Sequence, residues 1–124
     1  MRILVVEDER DVAEVIRRGL EQLGLHCAVA QDTVAADRLL ARESVDAVTL
    51  DLGIPGRGGL DWLETMATAK PALARRTLVI TGMPLRPDRV ERLTRCGAGV
   101  LAKPFTLTGL ADAVRAQLRH ARAG

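Results

Sequence analysis

Five short apolar runs punctuate the chain, and between them the apolar positions spread out to the period of a helix. The runs are ILVV (3–6), HCAVA (26–30), AVTL (47–50), TLVI (77–80) and GVLA (99–102). Their shortness and their β-branched side chains predict strands. Val12, Ile16, Leu20 and Leu23 fall on one helical face, and Gly24 follows as a C-terminal cap. Val34, Leu39 and Leu40 predict a second helix, and Leu60, Leu63 and Met66 a third. Val90 with Leu93 predicts a fourth, and Leu110, Val114 and Leu118 a fifth. Strands that are apolar on both faces and alternate with helices predict a parallel sheet covered on both sides.

Composition limits what such a sheet belongs to. At 124 residues and 48% hydrophobic content the chain makes one ordinary α/β domain, with the fold over 1–120 and a short tail over 121–124. The pattern fills the chain, so no DNA-binding or enzymatic output segment is expected. The net charge of +2 comes from 18 basic and 16 acidic residues interspersed along the sequence. Without a basic run, direct nucleic-acid binding is not expected. The leading apolar stretch is broken at once by Glu7, Asp8 and Glu9, which excludes a signal peptide or membrane span and predicts a cytoplasmic protein. Cys27 and Cys96 lack metal-ligand or CxxC spacing and are expected to be buried free thiols.

In a doubly wound sheet the carboxyl ends of the strands share one edge, where ligands bind. Those ends carry the polar chemistry of this chain. The first strand ends in Glu-Asp-Glu, the third in Asp51, the fourth in Thr81 and Gly82, and the fifth in Lys103, Pro104 and Phe105. Clustered carboxylates repel one another unless a cation neutralises them. A hard divalent ion with few carboxylate ligands and several waters suits Mg²⁺, with Glu7, Asp8 and Asp51 as candidate ligands. An ammonium and a hydroxyl beside that ion suit phosphoryl oxygens, which assigns Lys103 and Thr81 to them. Asp51 is then a candidate nucleophile, since carboxylates form aspartyl phosphates.

These motifs together resemble the receiver domains of two-component response regulators, of the chemotaxis-regulator type. The resemblance runs from RILVVEDE (2–9) through DAVTLDLGIPGRGGL (46–60) and TLVITG (77–82) to LAKPF (101–105). It implies a flavodoxin-like fold, a five-stranded parallel sheet in the order 2-1-3-4-5 flanked by five helices. It implies that Asp51 accepts a phosphoryl group from the phosphohistidine of a sensor histidine kinase or histidine phosphotransfer protein. Glu7, Asp8, Asp51 and the backbone carbonyl of Gly53 would hold Mg²⁺, Thr81 and Lys103 would bind the phosphoryl oxygens, and the Lys103–Pro104 bond would be cis. Phosphorylation would switch binding of a downstream protein, the chain catalysing its own phosphorylation and dephosphorylation rather than turning over a substrate. In the family, the side flanked by Val12, Ala13, Pro104 and Phe105 docks the kinase's helical bundle.

The chain also departs from that family. Glu7 stands where the first acid is most often aspartate, Gly58 replaces a common acid, and Val100 occupies the place of a switch aromatic. The acids of a charge-paired dimer face are replaced by Ala98 and Gly99, while Arg92, Arg95 and Arg115 are expected on that face without acidic partners. Like charges then oppose self-association, so a monomer or weak dimer is expected, with this face left for an acidic or amphipathic partner. Three rival readings fit the residues less well. A phosphorylation-independent pseudo-receiver would lack an essential group, whereas all are present. An aspartate-nucleophile phosphatase wants a second aspartate where Gly53 stands. A flavodoxin-like cofactor binder wants a glycine-rich loop where the chain reads EDERD.

Overall fold

A computed structural model describes residues 1–55 and 58–123; Gly56 and Arg57 of the loop after Asp51, and Gly124 of the tail, lie outside the described residues. The strands are β1 (Arg2–Val6), β2 (His26–Ala30), β3 (Ala47–Leu50), β4 (Thr77–Thr81) and β5 (Gly99–Ala102). They form one parallel sheet in the order β2-β1-β3-β4-β5, as expected. The helices are α1 (Arg10–Glu21), α2 (Thr33–Arg42), α3 (Gly59–Ala69), α4 (Pro71–Ala74), α5 (Pro87–Cys96) and α6 (Leu107–Ala123).

Strand alternation divides the core in two. Leu4, Val6, Val48, Leu50 and Val79 face α2, α3 and α5, where they meet Ala36, Leu63, Trp62 and Leu93. Ile3, Val5, Ala47, Leu78 and Ile80 face α1 and α6, where they meet Ile16, Leu20, Leu110 and Val114. Burial on both faces is what turns these strands into continuous apolar runs. Removing one fully buried leucine such as Leu50 would cost about 2–5 kcal/mol.

Local signals set the helix ends. The Asp32 carboxylate accepts the Ala35 amide at 2.7 Å and opens α2. Thr106 does the same for the Gly109 amide at 2.9 Å at the head of α6. Gly24, at φ 82°, closes α1: its amide donates to Glu21, and the Leu25 amide donates to Leu20. This paired bonding satisfies two terminal carbonyls and requires a left-handed residue. Gly97 repeats the arrangement after α5.

Four details differ from the sequence pattern. A short extra helix, α4, begins at Pro71, where proline loses nothing by lacking an amide hydrogen. Val34 and Val90 are exposed, so α2 is anchored by Ala36 and α5 by Leu93 and Cys96. Cys27 is half-buried rather than buried, and both thiols are free. Arg92 and Arg95 do have acidic partners within the chain: Arg92 pairs with Asp61 and Glu64 on α3, and Arg95 with Glu91 on its own helix. Among the described residues no helix is long and apolar enough to cross a membrane.

Candidate functional site

The strand register delivers the site residues to one edge. Val6 is paired with Leu50 and with Ala30, and Thr81 with Ala102. The ladder bonding continues one residue beyond these pairs. The Glu7 amide donates to the Ala30 carbonyl, the Asp51 amide to Val6, and the Lys103 amide to Thr81, each at 3.0 Å. Backbone hydrogen bonds therefore hold Glu7, Asp51 and Lys103 before any side chain acts. The crevice between β1 and β3 is the switch point of the strand order, because the chain leaves β1 towards opposite edges of the sheet.

Side chains converge above that crevice. Lys103 Nζ lies 2.7 Å from Glu7 Oε1 and 3.4 Å from Asp51 Oδ2. The Gly53 amide donates to Asp51 Oδ1 at 3.0 Å, so Gly53 engages the site through its nitrogen. Asp8 joins through a carboxylate oxygen: one oxygen from each of Glu7, Asp8 and Asp51 lies within 4.8 Å of the others. Thr81 is buried at the end of β4, and its Oγ1 accepts the Met83 amide at 3.2 Å. A hydroxyl that accepts one bond still has its hydrogen to donate. Gly82 lies against the stem of Lys103, and the Lys103–Pro104 bond is cis.

Electrostatics separate the two acids. Burial and the adjacent Asp51 carboxylate push Glu7 up to about 7, against the pull of Lys103. Asp51 lies below its ordinary value. Burial acts to raise it, but the neighbouring Glu7 carboxyl, the Gly53 amide and the Lys103 charge together outweigh burial. Lys103 is raised, since pairing with Glu7 and Asp51 overcomes the burial that disfavours its charge. Glu7 is 1% exposed, yet its Oε2 has no hydrogen-bond partner. A buried carboxylate oxygen left this way is costly unless something binds it. The oxygen-only donor set, with that unpartnered atom in it, fits a hard divalent cation.

Three contacts were not legible in the sequence. Lys103 sits closer to Glu7 than to Asp51. Gly59, at the start of α3, is pressed on the backbone behind Asp51: a Cβ there would lie 2.8 Å from the Leu52 Cα and 3.1 Å from the Asp51 carbonyl oxygen. Arg92 ties α5 to α3. Its acidic partners stand three residues apart, a helical spacing visible in the sequence, but nothing there pointed to the arginine they share.

A doubly wound sheet with three carboxylates and one ammonium at its switch point is the flavodoxin-like arrangement that the sequence predicts. The chain belongs to the response regulator receiver domain family, whose model matches residues 3–115. It is 35% identical to the response regulator MprA of Mycobacterium leprae (strain TN), over 98% of this chain and 53% of that protein. The chain thus spans about half the length of the curated relatives it matches. A CheY-like receiver domain protein from Methanospirillum hungatei JF-1 shares the fold with a TM-score of 0.86 at 19% identity, over 99% of this chain and 98% of that one. A response regulator from Burkholderia pseudomallei, solved with a phosphorylated aspartic acid, a calcium ion and citrate, is 26% identical with a TM-score of 0.80, over 98% of this chain and 71% of that one.

Proposed function

We propose that Asp51 is the phosphoacceptor of this receiver domain and that the domain switches partner binding when Asp51 is modified. The observation that carries the reading is the convergence of an ionised Asp51 with Lys103 and the unpartnered carboxylate oxygen of Glu7. An Asp51 oxygen attacks the phosphorus of a kinase or phosphotransfer phosphohistidine, forming the P–O bond as the P–N bond breaks. The bonding pair stays with the departing imidazole. Lys103 offsets the charge of the phosphoryl oxygens, and the Thr81 hydroxyl donates to one of them. Glu7, Asp8, Asp51 and the Gly53 carbonyl would hold Mg²⁺, which supplies charge neutralisation where carboxylate and phosphoryl meet. The phosphorylated Burkholderia pseudomallei relative, with its calcium ion, supports the same assignment by analogy.

Docking of the phosphodonor protein fits a recess of about 430 Å³ beside Lys103. It is lined by Asp11, Val12 and Val15 of α1 with Pro104 and Phe105 after β5. Its apolar walls suit the side of a helical bundle. The reading places the domain's work in the cytoplasm, as a monomer or weak dimer, with a downstream protein as its second partner.

The test is phosphorylation by acetyl phosphate in the presence of Mg²⁺, followed by mass spectrometry. One acid-stable, base-labile group is expected on Asp51, lost in Asp51→Asn and in EDTA. Label on another residue, or equal labelling in EDTA, overturns the assignment. Lys103→Ala and Thr81→Ala are expected to keep Mg²⁺ affinity and slow labelling, whereas Asp8→Asn is expected to weaken Mg²⁺ itself.

A further inference from the structure

Arg92 makes one guanidinium serve two carboxylates on another helix. Its Nη2 lies 2.7 Å from Asp61 Oδ1, its Nε lies 3.1 Å from Glu64 Oε2, and Nη2 also meets Glu64 Oε1. Asp61 and Glu64 stand one helical turn apart on α3, so a single planar fork reaches both. Arg92 is about one-third exposed, less than its exposed neighbours Arg95 and Arg86, whose pairs are short-range in sequence.

Both helices joined by this clamp are reached by segments that leave the candidate site. α3 starts at Gly59, which rests on the backbone of Asp51 and Leu52. α5 follows the loop whose Met83 amide is bonded to the Thr81 hydroxyl oxygen. With Asp51 as phosphoacceptor, a phosphoryl group there would crowd the first lead, and a Thr81 hydroxyl donating to it would pull on the second through the Met83 amide. A contact between two elements whose leads both shift does not fit both states equally well.

We propose that the Arg92 clamp to Asp61 and Glu64 is a latch: it holds α5 in its unphosphorylated position, and modification of Asp51 releases it. Release would present a free guanidinium on α5 and two free carboxylates on α3 to the downstream partner. The proposal rests on the reading of Asp51 as phosphoacceptor. By linkage, a contact that favours the unmodified state weakens binding of anything that favours the modified one, so breaking it strengthens that binding.

The test uses beryllofluoride with Mg²⁺, a stand-in for the phosphoryl group on Asp51, with its affinity read by ¹⁹F NMR. Arg92→Ala and the Asp61→Asn/Glu64→Gln pair are each expected to bind it about two- to fivefold more tightly than the unaltered protein, the range of a partly exposed ion pair. Arg92→Lys, which keeps the charge but loses the fork, is expected to fall between. Amide exchange in α5 of the unliganded variants should rise towards that of the beryllofluoride-bound parent. Simple structural damage would lower affinity, so a gain is not explained by it. Should Arg92→Ala fail to fold, the carboxylate pair carries the test. Unchanged or weaker binding overturns the latch alone. Failure of the unaltered protein to bind beryllofluoride overturns the reading of Asp51 and the latch with it, a result distinguishable because it precedes any variant.

Discussion

The two edges of the sheet handle buried polar groups in opposite ways. At the amino edge, the nearly buried side chain of Gln117 donates to the carbonyls of Arg75 and Gly97, at 2.7 and 2.8 Å, tying α6 to the chain ahead of β4 and β5. Asp46 accepts the Arg2 amide there at 2.8 Å. At the carboxyl edge, three carboxylates crowd around one ammonium and a buried Glu7 oxygen has no partner. One edge spends its polar atoms on holding the fold. The other leaves a buried carboxylate oxygen of Glu7 unsatisfied, which is the condition for binding something else. Stability and function are therefore expected to respond to substitution at different ends of the same strands.

The largest effect is expected at the amino edge. Gln117→Leu strands two backbone carbonyls and removes both ties, costing about 2–4 kcal/mol. A melting experiment should show that loss while Mg²⁺ affinity stays within about twofold. A large fall in affinity would mean that the two edges are not separable.

Glu7→Gln is expected to give the reverse pattern. It removes one of three crowded acids, so the metal-free protein should gain about 1 kcal/mol at neutral pH while Mg²⁺ affinity falls at least about tenfold. Calorimetry of the variant with and without Mg²⁺ reads both changes, and equal losses of stability and affinity would erase the contrast.

The same residue makes the carboxyl edge sensitive to pH. The folded protein raises Glu7 from its ordinary 4.5 to about 7. Its stabilising contribution is then fully present below about pH 4.5 and is lost as pH rises through 7. Metal-free protein should lose stability across that window beyond what Glu7→Gln loses, and saturating Mg²⁺ should remove the difference. Identical profiles with and without Glu7 would show that its proton is not the source.

The smallest effect is expected from the exposed ion pair between Arg2 and Glu43 at the amino edge. Glu43→Ala should cost less than about 1 kcal/mol, leaving Gln117 as the tie that matters. A cost near that of Gln117→Leu would redraw the amino edge as a charge network.

Much of this was legible in the sequence because a parallel sheet writes itself plainly. Strands buried on both faces must be apolar throughout, and the first polar residue after each run marks the shared edge. That is why Glu7, Asp51, Thr81 and Lys103 could be read as neighbours although up to 96 positions separate them. The partner of Arg92 was not legible, since pairing across 28 positions depends on how α3 and α5 lie against each other. The expectation of an unpaired arginine failed at Arg92 for that reason; at Arg95 it failed although Glu91, one turn earlier on the same helix, was there to be read. Val90 was misread because one apolar residue in a short helix has the right period without facing the core. Only packing shows that Leu93 and Cys96 do that work.

Trp62 sits on α3 one helical turn from Gly59, 1% exposed, with its indole nitrogen donating to Asp37 Oδ1 at 2.8 Å. It is the only tryptophan in a chain that has no tyrosine. Near-ultraviolet emission therefore arises from a single fluorophore, shielded from collisional quenchers and fixed by one hydrogen bond to α2. Because α3 leans on the backbone behind Asp51, the domain carries an optical probe of its own site that needs no label.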